Sequence, residues 1–285
     1  MQDVTLKLPV GMTVNGSLVK EAPFAETGSE AEEVYTGQPA GTKLYTWFAE
    51  VLAVSIASIG GEAVARPFIK DFHKTRKVPK VVLEMPLNDV GTAMLQIQRH
   101  CWQDIMPNKQ VQCKMCANLL TVDIDLNRIE VNVDPVTQYT EILVHLAKTY
   151  TIEPAGLESL EVYKGVEYNA LRFRVPVLGD AIRHEKLMVD DVLFWRNIAF
   201  DCLESLVYVA EAEQDRNALK EDVAEGYVGV RGQLLFTVDL GSKDLRAVRA
   251  GLTQQLPSAK FYYEDTCGCG KYQIPMFTDV SSFFS

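Results

Sequence analysis

The sequence predicts an α+β protein in which helical and strand segments surround a zinc-ribbon-like four-cysteine site whose two halves lie far apart in the chain. Three observations point there. Apolar residues recur at helical spacing in some stretches and alternate or run together in others. Four of the six cysteines form two tight pairs, Cys113 with Cys116 and Cys267 with Cys269. Each pair leads into an extended apolar stretch, "LLTVDIDL" after the first and "KYQIPMF" after the second.

Taken in order, residues 3–20 predict a β-hairpin, because apolar residues flank Asn15-Gly16, a favoured two-residue turn. Residues 21–41, rich in Glu, Gly, Ala and Pro, predict a connector with no core of its own, so 1–41 forms an N-terminal hairpin and acidic connector. From residue 42 the period becomes helical. Leu44, Trp47, Phe48, Val51, Leu52, Ile56 and Ile59 share a face, and Gly60-Gly61 is read as the stop. A second helix starts near Asn88 with a stripe of Val90, Met94, Ile97, Cys101 and Ile105, and Pro107 is read as its end. The first cysteine pair and the strands "LLTVDIDL" and "RIEVNV" complete a region spanning 42–135.

An inserted α+β subdomain is expected over 136–258. In it, 140–152 leans to strand, and "SLEVYKG" and "ALRFRVPV" read as strands. The longest helix is expected over 186–219, with Met188, Val192, Trp195, Ala199, Cys202, Leu206 and Val209 on one face. "QLLFTVDL" suits a strand or a helix entry. Ser242 opens a short helix with Leu245, Val248 and Leu252 inside, which Pro257 stops. Residues 259–285 hold the second knuckle, its strands and an apolar tail.

Composition narrows the function. The chain has 285 residues, 47% hydrophobic and 23% charged, with a net charge of -10. Such an acidic balance disfavours a nonspecific grip on phosphate backbones. The start, "MQDVTLKLPV", has neither the basic nor the apolar region of a secretory signal. The most apolar run, 44–60, is short for a membrane span and carries Glu50. The expectation is a cytosolic protein without nucleic-acid or membrane partners. In that reducing setting paired cysteines are more often metal ligands or redox groups than disulfides.

A zinc knuckle needs two thiolates on a tight turn, both within ~2.3 Å of one ion. Cys113-Lys-Met-Cys116 has the usual spacing, and the glycines around Cys267 and Cys269 permit the turn. About 150 residues lie between the pairs, which closure entropy allows because it grows only logarithmically with length. The reading is a structural Zn2+ site with ligands Cys113, Cys116, Cys267 and Cys269. Unrelated thiols and a redox dithiol are the alternatives. The strand after Cys116 counts against the latter, since reactive Cys-x-x-Cys pairs usually open a helix that lowers the thiol pKa.

Cys101 and Cys202 fall on apolar helix faces as small buried hydrophobes. His73, His100, His145 and His184 are scattered, without His-x-Glu or His-x-x-x-His spacing. No phosphate loop, dinucleotide fingerprint, nucleophile elbow or zinc-deaminase signature occurs. Asp123/Asp125 and Asp190/Asp191 read as solvated surface positions, and the basic cluster at 70–80 as a solvated face. Phe283 and Phe284, next to the last residue, either tuck into their own domain or anchor in a partner. Leaving each in water would cost ~1.5–3 kcal/mol.

"LKLPVG", "PLNDVGTAMLQIQRHCW", "QCKMCANLLTVDIDLNRIEV" and "CGCGKYQIPMFTDVSSFF", in that order, resemble the T-even-type phage baseplate hub assembly proteins and related tail assembly factors of contractile phages. The resemblance spans most of the chain. It implies a non-enzymatic structural subunit or assembly factor, joined to other phage tail or baseplate proteins in a multi-subunit assembly. It places the chain in the virion or, during assembly, in the host cytoplasm. Two other functions stay open: a cytosolic enzyme with a structural zinc site, and a zinc-ribbon nucleic-acid-binding module. The acidic, aliphatic "LLTVDIDL" ranks the last of these lowest.

Overall fold

A computed structural model describes residues 4–25, 34–35, 43–64, 78–101, 104–113, 116–152, 164–209, 240, 242–267 and 269–276. It contains both helices and strands and divides into two compact units. Unit 1 comprises Met1–Gln138, Val177–Ile182 and Leu256–Ser285, and unit 2 comprises Tyr139–Pro176 and Arg183–Gln255.

Unit 1 opens with the antiparallel hairpin β1 (Thr5–Val14) and β2 (Ser17–Pro23), turning at Asn15 and Gly16 with φ of 50° and 79°. Those positive φ values are what a two-residue primed turn demands and what Asn-Gly supplies. The register shifts between Lys7 and Met12, so that Leu8, Pro9, Val10 and Gly11 bulge opposite Lys20. A two-stranded hairpin is marginal alone. This one lies on helix α3 (Leu87–Cys101), whose residues from Leu87 to Gln98 are all buried. Helix α1 (Leu44–Ser55) is likewise buried around most of its circumference.

Several expectations change here. Helix α1 ends at Ser55, not at the glycines. Ile56 bridges Phe24 as extended backbone, and Gly60-Gly61 turn a small hairpin, β3 (Ser58–Ile59) with β4 (Glu62–Ala63). Positive φ serves a hairpin turn as readily as a helix end, so the Gly-Gly signal fits both. Of residues 26–41 of the connector only Val34 and Tyr35 are described, and they pack against α1. Val34 and Tyr35 are buried, the Tyr35 hydroxyl lies 2.9 Å from Ser55 Oγ, and the Trp47 indole donates to Val34 O at 2.8 Å. After the short helix α2 (Lys80–Leu83), α3 stops at Cys101, before Ile105 and Pro107. Both belong to strand β5 (Ile105–Gln112), paired with β6 (Leu119–Asp125). Pro107 falls where that register shifts, between Met106 and Lys109, the bulge position that tolerates a missing N–H.

A 3₁₀ turn, Leu126–Arg128, follows β6. Asp125 caps it by accepting from Asn127 N at 2.9 Å, so this carboxylate is a cap and not merely solvated. Strand β7 (Ile129–Glu130) joins β11 (Lys260–Cys267) and β12 (Gly270–Met276) in a three-stranded antiparallel sheet of unit 1, in the order β12-β11-β7.

Unit 2 holds the antiparallel sheet β10-β9-β8, formed by β8 (Glu141–Thr151), β9 (Glu167–Arg174) and β10 (Leu203–Val207). The chain re-enters unit 2 at Arg183, near the end of helix α4 (Leu178–His184), whose earlier residues belong to unit 1, and a 3₁₀ turn leads on to α5 (Asp191–Cys202). Over its described part, 186–209, the helix expected over 186–219 is therefore cut at both ends, and 210–219 lie outside the described residues. Asp190 caps α5 by accepting from Leu193 N at 3.0 Å, and from Leu203 the chain turns extended to pair with β9. The stripe misleads because Leu203, Leu206 and Val207 are buried against a sheet, where apolar residues also recur. Helix α6 (Ser242–Gln254) packs on β8. Gly251 makes the close approach possible, since a Cβ there would lie 2.3 Å from a Val144 methyl. "QLLFTVDL" before Leu240 and most of "SLEVYKG" lie outside the described residues.

Candidate metal centre

The first cysteine pair occupies the loop that closes β5 and β6. Their last paired residues are Gln112 and Leu119, and Cys113 N donates to Asn118 O at 2.8 Å. Ala117 N donates back to Cys113 O at 2.8 Å, which tightens the loop into a knuckle. Ala117 takes φ of 59°, a left-handed conformation that costs an L-residue about 1–2 kcal/mol. Such strain persists only where the surroundings over-determine it.

The second pair is carried by β11 and β12. Cys267 stands opposite Gly270 in the register, and Cys269 lies in the turn between the strands. The Cys269 sulfur reaches 3.5 Å from that of Cys113 across 156 residues of sequence. Cys113, Cys116 and Cys269 have their sulfurs within 4.8 Å of one another. Cys113 is buried, while Cys116 and Cys269 are exposed.

The donor set suits a metal. Sulfurs bound tetrahedrally at ~2.3 Å form edges of ~3.8 Å, and the observed spacing lies close to that. Three thiols are thus near enough to hold one ion. For Cys267 the register is defined and its side chain is not described. Phe283 and Phe284 lie outside the described residues.

Among the described residues, the cluster holds no histidine and neither Cys101 nor Cys202, and His73 lies outside the described residues. Cys202 is fully buried in unit 2. The Cys101 thiol, half-buried at the end of α3, approaches the Tyr35 hydroxyl at 3.8 Å, and burial pushes its pKa up. His100 packs edge-on against Phe24 at 4.7 Å between ring centroids. His184 Nε2 lies 2.9 Å from Asp201 Oδ2, which Arg183 also contacts. Asp191 is likewise engaged, by Arg249.

A second polar site is absent from the sequence reading. Asp89, on α3, is 0% exposed. Its carboxylate accepts from Val10 N at 2.8 Å and Gly11 N at 2.7 Å, both in the β1 bulge. Lys20 Nζ, from the facing strand, donates to Pro9 O at 2.9 Å and Val10 O at 2.6 Å. Burial raises the Asp89 pKa to about 7, against the two amide donors and the Lys20 charge, which lower it. Lys20 is pushed below its usual value, again chiefly by burial. Gly11, with φ of 73°, is required here because a Cβ would meet the Lys20 side chain at 2.6 Å and Val19 O at 2.8 Å. The only local signal is that glycine inside an apolar strand.

The fold and the thiol cluster together define an α+β protein with a candidate three-thiol metal centre. Comparison with family models, with curated proteins and with solved structures found no match. Among the described residues no helix is long and apolar enough to cross a membrane.

Proposed function

We propose that this chain is a non-enzymatic protein that works through protein–protein interfaces, with a structural Zn2+ held by Cys113, Cys116, Cys269 and Cys267. The carrying observation is the meeting of Cys113, Cys116 and Cys269 from two chain-distant knuckles. Thiolates are soft donors, and a four-thiolate set is the usual closed form of structural zinc. Zinc then fixes the β5–β6 loop to the β11–β12 turn within unit 1.

The sequence resemblance supports a place in the tail or baseplate hub of a contractile phage, as subunit or assembly factor, in the virion or in the host cytoplasm during assembly. Phe283 and Phe284 then serve as a partner anchor, emerging a short distance beyond the second knuckle. Elemental analysis of reduced, purified chain should find about one zinc per molecule, and metal-free, folded protein overturns the site. Co-expression with neighbouring tail or baseplate proteins should give a stable complex with an interface above roughly 1,000 Å². Changing Phe283 and Phe284 to Ala should weaken that complex while zinc content and monomer melting stay unchanged. If the double variant instead unfolds the isolated chain, the phenylalanines are core.

A further inference from the structure

We propose that Cys269 is a peroxide-reactive thiol and Cys113 its resolving partner, so that oxidation replaces the metal tie between the knuckles by a disulfide. This rests on the zinc reading above. Three observations carry it. Two of the three clustered thiols, Cys116 and Cys269, are exposed, so a dissolved oxidant can reach them. Cys269 sits between Gly268 and Gly270, which bring no side chains to screen it. Its sulfur already lies 3.5 Å from the buried sulfur of Cys113.

The chemistry balances with hydrogen peroxide as the oxidant. The Cys269 thiolate attacks one peroxide oxygen, the O–O bond breaks, and a sulfenic acid and hydroxide result. The Cys113 thiolate then attacks the sulfenyl sulfur, the S–O bond breaks, and a second hydroxide leaves as the S–S bond forms. Two electrons pass from the two thiolates to the peroxide, and both hydroxides become water at neutral pH. The metal, deprived of two donors, departs as the dication. No helix N-terminus is needed to make the thiolate, because coordination keeps it deprotonated. The covalent product still joins the same two loops, so oxidation exchanges one staple for another.

The test uses the full chain, purified reduced and treated with hydrogen peroxide. Zinc release is followed with a chromogenic chelator and the bridge by peptide mapping. Trypsin cuts after Lys114, which separates Cys113 from Cys116, and the second pair falls in one peptide ending at Lys271. The expected result is loss of the bound zinc together with a cross-link from the Cys113 peptide to the Cys269 peptide. That cross-link should survive Cys267→Ser and disappear in Cys269→Ser. Zinc retained under oxidation, a bridge through Cys116 or Cys267, or sulfinic acid without a bridge overturns the proposal; if a variant misfolds, fragmentation of the wild-type cross-linked peptide between Cys267 and Cys269 decides which of the two is bridged. Protein purified without zinc that still forms the Cys113–Cys269 bridge overturns the zinc reading and leaves the thiol pairing standing.

Discussion

Asp89 and Cys113 are both buried, and each ties a chain-distant segment into unit 1. Asp89 holds the β1 bulge to α3 across 78 residues, while Cys113 meets Cys269 across 156. The surroundings differ. Asp89 lies among fully buried residues, Leu8, Val10 and Val90 among them, and its partners are backbone amides and a lysine. Cys113 shares its cluster with two exposed thiols. In the dry interior a polar tie is expensive to break, because its partners are left without water. At the exposed edge water can reach the groups, and in the proposed reading the tie comes from coordination.

The largest effect on global stability is therefore expected at the dry tie. Asp89→Ala strands the buried Val10 and Gly11 amide N–H groups, and should cost about 2–6 kcal/mol at roughly 1–3 kcal/mol for each. Urea unfolding should show it as a lower midpoint at unchanged slope. Combining Asp89→Leu with Lys20→Met should recover little of that loss, since the Val10 and Gly11 amides and the Pro9 and Val10 carbonyls then stay buried without these partners. A double variant much more stable than Asp89→Ala would show that the bulge does not need the carboxylate.

The same group gives unit 1 a pH signature. The folded pKa of Asp89, about 7, lies above its unfolded value. Its contribution is then fully present below the unfolded pKa and is lost as pH rises through 7. Between about pH 4 and 7 it should lower stability by up to about 1.4 kcal/mol per pH unit. Asp89→Asn should lack this component. The charge acting on Asp89 is Lys20 on β2, which in turn interacts with Asp134, whose own pKa is lowered chiefly by the Thr137 hydroxyl. Identical pH profiles for wild type and the Asn variant would show that the amide donors hold the carboxylate ionised throughout.

Legibility in the sequence divides along the same line. Asn15-Gly16 and the Cys-x-x-Cys spacing are local, and the structure places a turn and a knuckle there. Asp89 sits one residue after Asn88 in a helix start that reads as an ordinary acidic first turn. What makes it a tie is a bulge 78 residues upstream, which no window can see. The run-on helix over 186–219 fails for another reason. An apolar residue every three or four positions fits both α5 and the strand β10 after it, and pairing with β9 decides between them. The Asp190 cap is a readable start signal that the apolar stripe obscures.

Removing the metal should affect a narrower region. With zinc chelated under reducing conditions, the β5–β6 loop and the β11–β12 turn should lose protection from amide exchange. Amides of α1 and α3 should keep theirs, because burial holds those helices. The urea midpoint of the core should move less than in Asp89→Ala. Loss of protection in α3 to the same extent as in the knuckles would erase the contrast, making the metal a support of the whole unit.

The smallest effect is expected at Ala117, and it separates strain from coordination. Its φ of 59° costs an alanine about 1–2 kcal/mol, and glycine adopts it freely. Glycine also gains entropy in the unfolded chain, roughly 0.4–1 kcal/mol, which offsets part of the relief. Ala117→Gly should therefore raise knuckle stability by less than about 1 kcal/mol. The gain should appear with zinc bound, when coordination imposes the turn, as a slower transfer of the metal to a competing chelator. In metal-free protein a relaxed loop would let Ala117 leave the left-handed region, and the variant should then be neutral or slightly destabilising. An equal gain with and without metal would mean that the β5–β6 pairing alone forces the turn, and that the knuckle is preformed before any ion arrives.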